Sequence, residues 1–412
     1  MSHCGKISHV PRASRWVGLA MLVFSLPLLA QSGAPASAEA EQSAAVSEPD
    51  SLSLTLDQML TLTDVLGHVQ RDYVDLTSDK KLLEDAIRGM LKGLDRYTVY
   101  LTEEQFKKLE DDSRGRYGGI GIEVDWRGKK LEIVGITQGG PAAEAGLVVG
   151  DVIREVEGIP ITAEGRRNTL DRVRGPAGTP VRLVVASRNQ APRNLVLTRE
   201  VIRIISVHGN LLDGGLAYLK IGNFQNGTEF RVRERLGELI EENGAPLGGL
   251  ILDLRNNPGG VLAAAVGVSD LLLGEANIVS TRGRDGEDLA SYQSDPLDIL
   301  DGAPIIVLVD KVSASASEVV AGALKDNGRA AILGETTFGK GSVQTVLPLR
   351  NGGAIKITTA RYYTPTGISI HGTGIEPDIA IDPKPGADGI DRALLEATKL
   401  LRQSDLALTP KG

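Results

Sequence analysis

One cysteine stands in 412 residues, and it is Cys4. A chain so short of sulfur has no disulfide framework and no cysteine-built metal site, and beyond its first residues it offers no thiol nucleophile. Aromatic residues are scarce at 4%, so the core must be packed from aliphatic side chains. Positive charge is also short: 45 Lys and Arg face 53 Asp and Glu, a net charge of −8 that argues against a nucleic-acid partner. No His-Glu-x-x-His occurs, which leaves no zinc-protease signature. No apolar run reaches membrane-spanning length either; Trp16–Ala30 is 15 residues, where a span needs about 20. Glycine, in contrast, is plentiful at 49 residues and implies many tight turns. The length calls for two or three domains, each with room for a buried core.

Residues 1–38 have the three parts of a secretory signal. Lys6, Arg12 and Arg15 come first with no acid among them, then the apolar run, then Ala36-Ser37-Ala38. A second small-residue cut falls after Ala30. The competing reading is an uncleaved membrane anchor, against which stand Pro27 and the shortness of the run. Cys4 precedes the run and so does not mark a lipoprotein. An exported, periplasmic chain is expected, with residues 39–52, rich in Ala, Ser, Glu and Pro, as a disordered spacer.

The chemistry concentrates between Pro304 and Leu349. Pro304–Asp310 reads as a strand, followed by a turn of small residues and a helix from about Ser315 to Asn327, stopped by Gly328. A nucleophile at such a strand-to-helix turn has an exposed oxygen and backbone N–H groups where negative charge develops. Three serines compete in Ser313-Ala-Ser315-Ala-Ser317, and each could be no more than a turn or cap residue. Lys340 follows between Gly339 and Gly341, with Gln344 four residues on. A buried lysine whose pKa falls from about 10.4 toward 7–8 can act as general base for a serine. A His base is the chemical alternative, but His68, His208 and His371 lie in no recognisable motif. Gly334–Gly341 imitates a phosphate-binding loop, yet Gly341 stands where Ser or Thr must hold magnesium. Ser78-Asp-Lys-Lys81 imitates a penicillin-recognising motif and reads instead as a helix cap.

The SASASE sequence and its spacing to FGKGSVQ resemble the carboxyl-terminal processing peptidases, serine proteases with a Ser/Lys dyad. The resemblance selects Ser315 as nucleophile and Lys340 as base, 25 residues apart, leaves Ser317 as the helix N-cap, and gives Gln344 the orienting of Lys340. It places one oxyanion N–H at Gly260, in the Asn256-Asn257-Pro258-Gly259-Gly260 turn of a second strand–turn–helix, and the other at Ala316. Residues 114–200 resemble a PDZ domain. Its peptide-carboxylate loop would be Gly119, Ile120, Gly121 and Ile122, with Leu170 and Val173 in the side-chain pocket.

The fold class expected is α+β and multidomain. Residues 53–113 form N-terminal helices, 114–200 the PDZ domain, 201–384 a ClpP/crotonase-like β-β-α peptidase core, and 385–412 a C-terminal helix and tail. The helices expected at the N-terminus are Leu56–Tyr73, Lys81–Leu94 and Thr102–Asp112, the last opened by a capping box. The polar run Thr281–Asp298 reads as a surface loop or hairpin. The resemblance implies protein or peptide substrates taken by their C-terminal regions, with no cofactor and no metal, and leaves an adaptor protein and a homo-oligomer open as partners. Two other classes stay open: a PDZ scaffold with an inactive hydrolase core, and a crotonase-like acyl enzyme.

Overall fold

The computed structural model describes residues 54–163, 165–187, 190–386 and 388–403. The expected signal segment, the spacer and the last nine residues lie outside the described residues. The chain divides into two units, Met1–Tyr73 and Val74–Gly412. The first unit contributes one helix, Leu56–Asp72, opened by a capping box in which Thr55 and Gln58 bond each other's backbone N–H. None of its residues is buried, and Leu60, Leu62 and Val65 are exposed.

In the second unit a six-stranded sheet forms the centre of the peptidase region. Its strand order is Val207–Leu212, Leu216–Ile221, Gly249–Asp253, Ile305–Val309, Ala330–Gly334 and Ile379–Ala380, the first pair antiparallel and the rest parallel. Strands buried on both faces read as continuous aliphatic runs, and Ile305–Val309 and Ala330–Gly334 are buried throughout. On one face pack the helices Thr228–Asn243, Leu262–Leu272 and Ala316–Asp326, around Leu250, Leu252, Val307 and Leu236. On the other lies Arg392–Arg402, which covers Ile251, Ile306 and Leu308 with Ala393, Ala397 and Leu401. Each such Leu or Ile contributes about 1.5–3 kcal/mol by leaving water.

A second sheet joins Val99–Leu101, Ala354–Tyr363, Ala276–Arg282 and Asp288–Ser294, with Ser342–Pro348 also paired to Ala354–Tyr363. The polar run from Thr281 is therefore a hairpin, turned by Arg284–Gly286. Helices Asp79–Lys92 and Glu103–Ser113 flank Val99–Leu101 in the chain. Thr102 caps the second of them with Gln105, as the sequence pattern predicts.

The PDZ region has its own core of Ile120, Leu131, Ile133, Ile153, Val181 and Val185. Its sheet runs Ile122–Arg127, Lys130–Ile136, Val152–Val156, Pro180–Ala186 and Arg193–Thr198, so Ile122–Arg127 is an edge strand. The helix that carries Leu170 and Val173 is Arg166–Val173. One strand crosses the expected boundary at residue 200: Glu200–Arg203 pairs with Arg116–Gly119. Backbone pairing, which composition does not reveal, carries the chain past that point.

Candidate active site

Two parallel neighbours, Gly249–Asp253 and Ile305–Val309, end side by side, and each passes through a turn into a helix. The first turn approaches the second closely. A Cβ on Gly259 would lie 2.5 Å from Ala314 O, 2.8 Å from Ser315 Cβ and 3.0 Å from Ala316 N, so only glycine fits there. Gly260 has φ +143 and leaves no room for a side chain against Phe224 O, 2.0 Å from where its Cβ would stand. Asn257 and Asp310 tie the turns together. Ala314 N–H and Ser317 Oγ both donate to Asn257 O, and Asn257 Nδ2 donates to Ile221 O. Asp310 accepts from the N–H groups of Asn256, Val312 and Ser313.

Ser315 is buried and has φ +55 and ψ −112, one of five non-glycine residues with positive φ among those described. A β-carbon in that region costs of order 1–3 kcal/mol, and such strain persists only where the surroundings hold it. What holds it here is Glu318, itself fully buried. Glu318 Oε2 accepts from the N–H of Ser315 at 2.8 Å and of Lys340 at 2.8 Å; Oε1 accepts from Thr337 Oγ1 and Gly339 N at 2.6 Å each. One carboxylate thus fastens the nucleophile turn to the lysine loop. The helix begins at Ala316 with Ser315 as its N-cap, so the expectation that Ser317 caps it is corrected. Ser317 lies inside the helix, its hydroxyl spent on Asn257 O. The spacing Ser315-x-x-Glu318 was the capping signal that distinguishes the two.

Among the described residues no hydrogen-bond acceptor takes the N–H of Gly260 or of Ala316. Phe224 pairs with the flanking atoms instead, its N–H donating to Gly259 O and its O accepting from Val261 N. The two expected oxyanion donors are therefore free, on turns in contact.

Lys340 is half-buried, and its two glycines have a spatial reason. The 370–374 backbone passes so near that a Cβ on Gly341 would lie 2.5 Å from His371 N and one on Gly339 3.0 Å from Gly374 N. Burial pushes the Lys340 ammonium below the ordinary lysine range, the charge of Lys356 pushes it the same way, and Glu318 opposes both. Its Nζ lies over the Tyr97 ring, 5.1 Å from the centroid, and makes no hydrogen bond to Ser315 or Gln344. Gln344 follows an irregularity in pairing between Val343 and Gln344, and gives its Nε2 to Ser342 O at 3.1 Å and Ser342 Oγ at 2.8 Å. In this conformation Gln344 does not orient Lys340.

Tyr362 and Lys356 come from the long strand Ala354–Tyr363, and their places are visible only in the fold. The buried Tyr362 phenol is pushed up to about 12, with hydrogen bonding to Ser315 acting in the opposite direction. Burial lowers Lys356 as well. His68, His208 and His371 are exposed. His68 pairs with Asp72, the His208 ring meets Ile205 O, and no described imidazole bonds a serine hydroxyl.

The expected peptide-binding residues fall together on the PDZ core. Gly119 ends a strand, Ile120 is buried, Gly121 has φ +75, and Ile122 begins the edge strand. Ile120 and Val173 belong to one apolar cluster, with Ile122 and Leu170 packed on it. The free edge of Ile122–Arg127 is the surface to which an added peptide strand could pair.

Comparison with known proteins gives two family matches, peptidase family S41 over residues 215–381 and a PDZ domain over residues 132–187. The chain is 40% identical over 330 residues to the carboxy-terminal-processing protease of Bartonella bacilliformis, covering 80% of this chain and 76% of that one. It is 37% identical over 305 residues to the carboxyl-terminal-processing protease of Synechocystis sp., covering 72% and 70%. Among solved structures it is similar to the photosystem II D1 C-terminal processing protease. That match has a TM-score of 0.50 at 33% identity and covers 82% of this chain and 97% of that one.

Proposed function

The chain belongs to the carboxy-terminal-processing proteases, serine-type enzymes of peptidase family S41 with a PDZ domain, and from that premise we propose that it is an exported endopeptidase working by a Ser315/Lys340 dyad. The observation that carries the dyad is the single buried carboxylate of Glu318, which accepts from the backbone N–H of both residues and so fixes their loops to one another.

In the proposed reaction the neutral amine of Lys340 takes the Ser315 Oγ proton as Oγ attacks the peptide carbonyl. The N–H groups of Gly260 and Ala316 receive the oxyanion, Lys340 returns the proton to the leaving amine, and water then hydrolyses the acyl-enzyme. Deprotonation also removes the attraction between the ammonium and the Tyr97 ring, worth about 0.5–1 kcal/mol at an exposed site, and so frees the amine to turn toward Ser315. Gln344 would take hold of it there, once released from Ser342.

Substrates are protein chains, recognised by their C-terminal regions. The Gly119–Ile122 loop would bind the terminal carboxylate and Leu170 and Val173 the last side chain. Export follows from the signal-like residues 1–38 and makes envelope proteins the substrate pool; no described helix is long and apolar enough to cross a membrane. An adaptor or a second copy would find exposed apolar side chains on Leu56–Asp72, and on Asp79–Lys92 at Leu83 and Met90.

Ser315→Ala and Lys340→Ala should each abolish cleavage of an unfolded protein, with melting unchanged. Turnover retained in Lys340→Ala would assign the base elsewhere. Amidating the substrate's C-terminus should raise KM without changing the cleavage of a substrate already bound, and an unaltered KM would remove the PDZ loop from recognition.

A further inference from the structure

The edge strand of the PDZ sheet, Ile122–Arg127, has no partner on its outer side among the described residues. Exposure alternates along it, so Ile122, Val124 and Trp126 turn inward, where they pack on the same core cluster as Leu170 of the helix Arg166–Val173. The far end of the strand meets the start of that helix through Arg166, whose guanidinium carbon lies over the Trp126 ring, 5.3 Å from its centroid. Strand and helix thus form two walls of similar length, about 13 Å from Ile122 to Trp126 and about 10 Å from Arg166 to Val173.

The charged groups around this contact are accounted for one by one. The acids of the strand, Glu123 and Asp125, stand on its opposite face, as does Arg127, which pairs with Glu132. On the helix, Asp171 pairs with Lys108. Arg166 itself has no ion pair and no hydrogen bond among the described residues, and the buried indole Nε1–H of Trp126 has no acceptor. Two donors therefore meet at one end of the groove without an acceptor between them. The aromatic face holds the guanidinium in place, so a carboxylate arriving there meets a planar fork that is already oriented.

We infer that Arg166, seated on Trp126, selects substrates that carry Asp or Glu four residues before the C-terminal one. The position follows from strand addition. A peptide whose terminal carboxylate sits in the Gly119–Ile122 loop runs antiparallel to Ile122–Arg127. Its last residue then stands beside Ile122, the third from the end beside Val124 and the fifth from the end beside Trp126, all three turned inward. The irregularity between this strand and its neighbour lies on the neighbour's side, where Glu123 and Val124 pair with Gly135 and Ile133, so the alternation along Ile122–Arg127 is unbroken. The inference rests on the reading of Gly119–Ile122 as the carboxylate loop, and it extends recognition from the last residue to the chain before it.

The test is calorimetric titration of the Ser315→Ala chain with a peptide ending Glu-Ser-Ala-Ala-Val, its counterpart ending Gln-Ser-Ala-Ala-Val, and the Glu peptide with an amidated C-terminus. The Glu peptide should bind about three- to fivefold more tightly than the Gln peptide at low salt, and the preference should shrink as salt rises. Arg166 is exposed, so Arg166→Gln keeps the fold; it should abolish the preference while leaving affinity for the Gln peptide unchanged, and Arg166→Lys should keep part of it. Trp16 and Trp126 are the two tryptophans of the chain, so with Trp16→Phe the emission reports Trp126 alone, and it should change on saturation with the Glu peptide. Equal affinity for the Glu and Gln peptides, a preference that survives Arg166→Gln, or an unchanged Trp126 emission overturns the inference. Amidation that leaves the affinity of the Glu peptide unaltered is a separate outcome: it shows the loop reading to be wrong and takes the position of the acid with it. Because binding is read without turnover, failure of the dyad reading leaves the measurement unaffected.

Discussion

The two strand–turn–helix units meet at the site, yet they solve the same backbone problem with different residues. The turn after Gly249–Asp253 enters positive φ at Asn256, φ +59, and then at Gly259, φ +101, and Gly260, φ +143, where glycine carries no steric penalty. The turn after Ile305–Val309 enters it at Ser315, φ +55. A turn whose task is to present N–H groups can be built of glycine; a turn that must present an oxygen needs a side chain and accepts the strain. Glu318 is the compensation; the first turn's non-glycine residue at positive φ, Asn256, is held in a similar way by Asp310 and is of a type that tolerates that region. The less tolerant residue therefore stands on the side of the site that needs a reactive atom.

Breaking the glycine turn should have the largest effect. Gly260→Ala pushes a Cβ toward Phe224 O at an unfavourable φ, and should cost about 2–4 kcal/mol in denaturant unfolding and lower kcat about 10²–10³-fold. Removing the compensation comes next. Glu318→Gln turns an NH₂ toward two of four donors, so about 2–4 kcal/mol of stability should be lost, with kcat falling further than KM in steady-state kinetics. Lys356→Gln probes the electrostatics of the lysine side alone. Taking away its charge raises the Lys340 pKa, and because the proposed base is the neutral amine, the rising limb of the pH–kcat profile should move to higher pH. An unmoved limb would separate Lys356 from the site. The smallest effect is the most direct comparison of the two turns: Ser315→Gly should be inactive yet more stable than Ser315→Ala by about 1 kcal/mol.

Much of the local structure was legible in the residues. The boxes at Thr55–Gln58 and Thr102–Gln105 and the glycines flanking Thr228–Asn243 mark their helices to within a residue or two. The same signal stands at Ser315–Glu318, but three alternating serines offer three caps and only packing excludes two. Gln344 could be placed on a strand, but the irregularity at Val343 that turns its amide to Ser342 depends on pairing with Ala354–Tyr363. Tyr97, Lys356 and Tyr362 carry no local mark, since their part is defined by what lies across from them.

By itself the sequence determined the succession of strands, turns and helices, the glycines that permit close approach, and the residues able to act as nucleophile and base. These are local matters of dihedral preference, side-chain chemistry and spacing. The tertiary structure decided which backbone groups remain free, that one buried carboxylate joins Ser315 to Lys340, and that burial beside Lys356 lowers the lysine. Desolvation and Coulomb interaction depend on distance through space, and chain separation does not specify that distance until the sheets have formed.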